Sequence, residues 1–286
     1  NMGIKKRLEQ IGNQSEQPGR LADVVVEKPI KKYSDLEFDV KIEVGEEGWE
    51  KMKKKYEEKC EQDDYWDIAE AAAHLKILFP NKTSELDLKN KWEKMKKDYE
   101  NKYEDDDLHD ALLEAMFLKI LFPNKVGELN LEDKWKQAKE YYEYCCETED
   151  WSITIDFAAC LKTLFPNKVG ELKLEDKWKK MKEKYEEKYK FSQGSYWDMA
   201  ETAVYLKILF PNKVDELELE DKWEGMKKEY KNFMNTGWKE SYLIPARLKI
   251  LAAEEIKITD QGVELIMKNE EDFEEGVSGR PERLST

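Results

Sequence analysis

Histidine is nearly absent from this chain. His74 and His109 are the only two among 286 residues, and they stand at non-equivalent places. Neither pairs with a cysteine or serine at a spacing that marks nucleophilic catalysis. Cysteine is scarce as well: Cys60, Cys145, Cys146 and Cys160 lack zinc-ligand spacing, and the adjacent Cys145 and Cys146 do not resemble a disulfide framework. That usage fits a reducing cytoplasm, the expected location. No apolar run approaches the roughly 18 residues a membrane helix needs, and residues 1–10 lack the apolar core of a signal peptide. A surplus of positive charge is missing too, since the net charge is −15. Nucleic acid and anionic membrane both reward a basic surface, so neither is an expected partner. No catalytic, cofactor or metal constellation stands out, and the chain is not expected to be an enzyme.

What is present is repetition. Leu-Phe-Pro-Asn-Lys occurs at Leu78–Lys82, Leu121–Lys125, Leu164–Lys168 and Leu209–Lys213. Tryptophan recurs in step with it, at Trp49, Trp92, Trp135, Trp178 and Trp223, with intervals of 43, 43, 43 and 45 residues. A fixed period of this size marks a stacked-repeat architecture. Hydrophobic and charged residues each make up 40% of the chain, the mixture of helices with one buried and one solvated face. Nine Trp and fourteen Tyr carry too much apolar area for a disordered chain.

Each unit reads as two helices. In the first, Trp178, Met181, Tyr185 and Tyr189 form one helical stripe, matched by Trp92, Met95, Tyr99 and Tyr103 and by their equivalents. In the second, Asp64, Asp107, Asp150, Ser195 and Gly237 occupy the N-cap, and Asp67, Asp110, Asp198 and Glu240 approximate a capping box. A small residue recurs at Ala72, Ala115, Ala158 and Ala203, with Leu75, Leu118, Leu161 and Leu206 one turn later. Pro80, Pro123, Pro166 and Pro211 end that helix, and a loop returns the chain to the next tryptophan.

The predicted fold is all-α, an α-solenoid of about five helix-turn-helix repeats with a C-terminal capping helix, stacked as a curved rod. The array spans 46–258, in units 46–88, 89–131, 132–174, 175–219 and 220–258. Residues 1–45 form a flexible or extended leader, with a strand-like alternation from Leu36 to Val44. Thr259 is expected to cap a final helix over 259–275 carrying Val263, Ile266 and Phe273, with 276–286 a solvated tail. Pro245, standing where the recurring alanine was, should kink its helix or delay its start.

The Trp-x-x-Met-x-x-x-Tyr of the first helix resembles the opening of a tetratricopeptide repeat, and the later Ala and closing Pro are similar in kind. The period departs from that family, and Lys96 or Lys182 stands where it has a small Gly. The length is closer to HEAT repeats. The units also resemble an uncharacterised class of tandem helical repeats, from about Val44 to Met267. The resemblance implies an α-solenoid and transfers no functional residue.

The acidic runs ending at Asp64, Asp107 and Asp150 lack the alternating ligands and turn glycine of a calcium loop, and their last acid is the helix cap. The row Lys76, Lys119, Lys162, Lys207 and Lys249 reads as side chains laid over the groove between units with their ammonium in water, or as a site for an acidic peptide. Tyr65, Trp66, Trp151, Tyr196, Trp197 and Trp238 open the second helices and vary between units, so they are the candidate contacts for a partner. In the middle unit Ala138, Cys146 and Thr163 replace larger residues. Tyr141 or Tyr144 compensates, or a pocket opens near Cys145, Cys146 and Cys160. The expected function is a non-enzymatic scaffold that holds a protein or peptide along its concave groove. The alternatives are a small-molecule-binding or catalytic protein with a site near the central repeat, or a structural spacer. A scaffold predicts a shallow groove with exposed aromatics; a ligand site predicts a deep pocket with convergent polar groups and shifted pKa values.

Overall fold

The computed structural model describes residues 46–104, 107–191, 196–236, 243–259 and 262–266. The expected leader 1–45 with its alternating stretch, the cap positions Ser195, Gly237 and Glu240, and everything after 266 lie outside these residues. Within them the chain is helical apart from one β-hairpin, and no helix is long and apolar enough to cross a membrane. The helices are α1 (Glu46–Glu61), α2 (Tyr65–Leu78), α3 (Trp92–Glu104), α4 (Leu108–Leu121), α5 (Leu131–Glu147), α6 (Trp151–Leu164), α7 (Trp178–Phe191), α8 (Tyr196–Leu209), α9 (Leu219–Thr236) and α10 (Leu243–Ala252).

Each odd-numbered helix packs on the even-numbered helix that follows it. Local chemistry sets the boundaries. The carboxylates of Asp64, Asp107 and Asp150 accept from the backbone N–H groups of Asp67, Asp110 and Ile153, which satisfies donors that a helix start leaves open. At the other end Phe79, Phe122, Phe165 and Phe210 leave helical geometry, and the following proline opens a 3₁₀ turn where its missing N–H costs nothing.

The repeated motif is architectural. Its phenylalanine packs against the tryptophan of its own unit, with ring centroids 5.1 Å apart in Trp92–Phe122 and 4.9 Å in Trp178–Phe210. Its lysine lies over the same indole, as Lys125 does over Trp92 at 5.0 Å. The glutamate five residues after the proline accepts a hydrogen bond from the indole N–H, from Trp92 Nε1 to Glu128 at 3.1 Å and from Trp178 Nε1 to Glu216 at 3.0 Å. The leucine after that glutamate offers its carbonyl to the tyrosine of the stripe, in Tyr56 to Leu86 at 2.8 Å and Tyr99 to Leu129 at 3.3 Å. Trp49, Trp92, Tyr99, Tyr142 and Tyr185 are thereby fully buried without an orphaned polar tip. Truncating one such tryptophan to alanine removes about 3–5 kcal/mol.

The even-numbered helices are apolar almost all round, the mark of an element buried on more than one side. Their contacts run α2 to α4 to α6 to α8 to α10, and α10 then packs against α2. They close a ring, with the odd-numbered helices outside. The expected open rod with a long concave face is therefore corrected, since that face turns inward and becomes a lumen. Packing between neighbours is encoded locally, but closure depends on the summed rotation per hairpin, which no single repeat displays.

The lysine row is corrected as well. Lys76 donates to the carbonyl of Ile120 at 2.7 Å, Lys119 to Thr163 at 2.9 Å, Lys162 to Leu209 at 2.9 Å, Lys207 to Leu251 at 2.7 Å and Lys249 to Ile77 at 2.7 Å. Each ammonium thus caps the C-terminal carbonyls of the next inner helix, a favourable place for a cation. Lys119 and Lys207 are taken from water, each only 2% exposed, and Lys76, Lys162 and Lys249 are partly buried. Burial pushes Lys207 down to about 7 and Lys249 to about 8.

The expected capping helix from Thr259 is not formed over the described residues. Instead β1 (Glu255–Thr259) pairs antiparallel with β2 (Gly262–Ile266), Ile256 opposite Leu265 and Ile258 opposite Val263. These four apolar side chains share one face, which a helix over the same residues would scatter. Pro245 falls in the first turn of α10, where no intrahelical partner for its nitrogen is needed.

Candidate functional site

Among the described residues, two adjoining cavities lie inside the ring. Many of their lining residues fall on one stripe of four inner helices, at steps of four and three: Glu70, His74 and Ile77 on α2, Phe117 and Ile120 on α4, Glu201, Tyr205 and Ile208 on α8, and Arg247 and Ile250 on α10; α6 adds Ser152, Ile155, Asp156 and Thr163. The first cavity, of about 70 Å³, lies toward the C-terminal ends of these helices, where Ile256, Ile258, Val263 and Leu265 of the β-hairpin form its wall. The second, of about 150 Å³, lies toward their N-terminal ends and is walled by Trp66, Leu113, Ser152, Asp156, Lys188 and Thr202 among others. Glu70, Phe117, Glu201 and Tyr205 line both. Together they offer room for several waters or one small molecule.

One end is greasy and the other polar, and most polar groups are already matched. Arg247 pairs with Glu201 across the contact between α8 and α10. Lys188 donates to the hydroxyl of Thr202 at 3.1 Å. Asp156 stands 3.4 Å from Nε2 of His109, whose Nδ1 lies 3.2 Å from Asp110. Glu70 is different. Its partly buried carboxylate makes no hydrogen bond or ion pair with the described residues, and its pKa is pushed up to about 7. Burial is the main cause, opposed by Arg247 and reinforced by the carboxylates of Asp67 and Glu201. Beside it stands Tyr205, whose phenol burial holds well above its usual pKa. His74 is buried against the Glu70 carbonyl at 2.8 Å, and burial and the nearby Arg247 lower its pKa to about 3, so it stays neutral.

The six aromatic candidates separate here into walls and packing. Trp66 lines the larger cavity, edge-on to Phe117 with centroids 5.7 Å apart and under the ammonium of Lys102 at 4.6 Å. Tyr65, Trp151 and Tyr196 are partly buried against the core. Tyr196 presses on α9 so closely that a Cβ at Gly225 would stand 2.1 Å from its ring, and the ring must shift for that position to carry a side chain. The side chain of Trp197 and all of Trp238 lie outside the described residues. None of the other four is exposed, so they form no open aromatic patch.

The pocket expected around the central cysteines is not formed among the described residues. Cys145 and Cys160 are buried, Cys146 is partly so, and none lines either cavity. Tyr141 fills the space, its ring 5.0 Å from that of Phe157. Burial raises all three thiols, which leaves them poor nucleophiles. No group of three His, Cys, Asp or Glu side chains among the described residues is placed to hold a metal ion.

Sequence reasoning misses Glu70, Glu201, Tyr205 and Arg247, although the chain carries a signal for them. The stripe positions Glu70, Leu113, Asp156, Glu201 and Leu243, and His74, Phe117, Cys160, Tyr205 and Arg247, change character from unit to unit while the Ala, Leu and Lys positions beside them, as in Ala72, Leu75 and Lys76, recur. Compared with known proteins, the chain matches no family model, and neither a curated protein nor a solved structure is significantly similar to it.

Proposed function

We propose that this chain is a small-molecule-binding protein whose ligand occupies the lumen of a ring built from five copies of one helical hairpin. The observation that carries this reading is the pair of adjoining cavities, about 150 and 70 Å³, sharing Glu70, Phe117, Glu201 and Tyr205 along the inside of the ring. Convergent polar groups with displaced pKa values in an otherwise apolar enclosure are what a ligand site has and a spacer lacks. Binding without chemistry is the simpler reading, because the thiols are buried and unactivated and His74 is held neutral. The test is a thermal-shift screen of benzene-sized compounds on the intact chain and on Ser152→Trp, which places an indole on the wall of the larger cavity. Hits that stabilise the native chain and are lost in the folded variant support the lumen site; hits that survive the substitution place binding elsewhere.

A second reading keeps the protein scaffold but moves it to the outer face. Tyr144 is 60% exposed on α5 and Tyr189 is 37% exposed on α7, the large apolar side chains left open among the described residues. A partner contact there would survive Ser152→Trp and fail with Tyr144→Ser, so the same proteins distinguish the two.

A further inference from the structure

The walls of the lumen narrow the chemistry of what it can hold. We infer that the lumen takes a small protonated amine with an apolar body, the ammonium held by Glu70 and the body lying against Trp66, Phe117 and Tyr205. This rests on the lumen being a ligand site at all.

Charge favours a cation. Three carboxylates, Glu70, Asp156 and Glu201, line the larger cavity against one cation, Lys188. The guanidinium of Arg247 comes from the adjoining cavity, pairs with Glu201 through Nη2 and opposes the rise at Glu70, while its Nη1 is buried without a hydrogen-bond partner among the described residues. Asp156 faces His109, and Lys188 faces the hydroxyl of Thr202. Glu70 remains as the carboxylate whose charge no described neighbour within bonding distance balances. An anionic ligand would meet Glu70, Asp156 and Glu201 together, whereas a cation completes the missing pair.

The surroundings of Glu70 favour an organic cation. Trp66 and Phe117 meet edge to face at 5.7 Å beside it, and Tyr205 lines both cavities as it does. Aromatic rings beside an acid are how proteins hold organic ammonium groups, because the ring quadrupole attracts the cation after its water has been stripped. Trp66 already carries the ammonium of Lys102 at 4.6 Å, so Phe117 and Tyr205 are the rings left to the ligand's charge. Size sets the body. A cavity near 150 Å³ suits a ligand about as large as benzene, and the adjoining 70 Å³ pocket, walled by Ile77, Ile120, Ile208 and Ile250, receives an apolar end. The hairpin residues Ile256 and Leu265 close that pocket and exclude charge from it.

The experiment compares three probes of one size, benzylamine, benzyl alcohol and benzoate, by calorimetric titration of the full chain at pH 8. Benzylamine is expected to bind roughly tenfold or more tightly than benzyl alcohol, with benzoate weakest. Glu70→Gln, which keeps the shape of the side chain, should bring amine and alcohol to within about twofold. If the variant does not fold, the native protein still decides: at pH 6.5 benzylamine should release a fraction of a proton, read from titrations in buffers of different ionisation enthalpy, and benzyl alcohol should release none. Equal binding of amine and alcohol, or a preference for benzoate, overturns the amine assignment while leaving the lumen as a binding site. Failure of all three probes at millimolar concentration overturns the lumen reading and this inference with it.

Discussion

The ammonium of Lys249 lies 2.7 Å from the carbonyl oxygen of Ile77, a residue 172 positions earlier in the chain. It also reaches the carbonyl of Leu78 at 3.2 Å, so the last inner helix caps the first. In an open stack the equivalent lysine would face water. Lys249→Met is therefore expected to destabilise by about 1–3 kcal/mol, the cost of losing a charge-assisted bond and stranding carbonyls at a helix end. Because the ring shares that seam between its first and last hairpins, urea unfolding should stay a single transition shifted to lower denaturant with its slope unchanged. A new early phase confined to α10, with the rest unfolding as before, would mean that the end is open.

Gly225 and Tyr196 give a sharper test of packing. Glycine inside a helix normally costs up to about 1 kcal/mol relative to alanine. At Gly127 and Gly170, where a Cβ would meet nothing within 4 Å, alanine should be tolerated. At Gly225 the added methyl drives into the Tyr196 ring, and Gly225→Ala should destabilise by about 1–3 kcal/mol. In a Tyr196→Ala background the same substitution should turn neutral or stabilising. If its sign is the same in both backgrounds, the close approach of α8 and α9 is not what selects glycine.

These two contacts mark the border of what the sequence makes readable. The helical hairpins are legible because Trp92, Met95 and Tyr99 repeat at helical spacing and Asp107 and Pro123 stand at the ends of α4. Closure is not, because each unit encodes only its rotation against its neighbour, and Lys249 looks the same in the sequence whether α2 is beside it or not. The buried lysines mislead for a related reason. A long side chain beside a groove is consistent with an ammonium in water until the carbonyls above it are known. The β-hairpin hides because Val263 and Ile266 fit a helical step of three, although Ile256 and Ile258, then Val263 and Leu265, alternate by two. The lumen hides because Glu70 and Glu201 look like two more acids in a chain with 64 of them.

The lone carboxylate of Glu70 should leave a mark on stability. Its folded pKa, about 7, lies above the value near 4.5 of an unfolded glutamate. The native state therefore holds the proton longer, and stability falls as pH rises between those values before levelling off. Arg247 on α10, Glu201 on α8, and Asp67 and Lys59 from the first hairpin are the charges that act on it. Glu70→Gln removes the penalty: it should be more stable than the native chain by about 1–3 kcal/mol at pH 8 and indistinguishable from it near pH 4. Chemical denaturation at the two pH values reads the difference. A variant less stable at pH 8 would show that Glu70 is ionised and satisfied in the fold.

The two histidines should titrate in opposite directions. Burial, with the positive charge of Arg247, lowers His74 to about 3, while His109 is raised because Asp156 and Asp110 outweigh its burial. For His74 the folded pKa lies below the unfolded one, so the stability it confers is present above about 6.5 and is lost as pH falls from there toward 3. For His109 the sign reverses: its contribution is present below the unfolded pKa and fades as pH rises through the folded one. With only two histidines in the chain, their ring protons are separable by NMR. One signal should move with a midpoint above 6.5 and disappear from the titration in His109→Asn. The other should hold still from pH 8 down to the onset of acid unfolding, because the imidazole is buried beside Phe117, 5.9 Å away, and the charge of Arg247 opposes a second cation there. A His74 signal that titrates near 6.5 in the folded protein would mean that burial and Arg247 do not act on it as the structure places them.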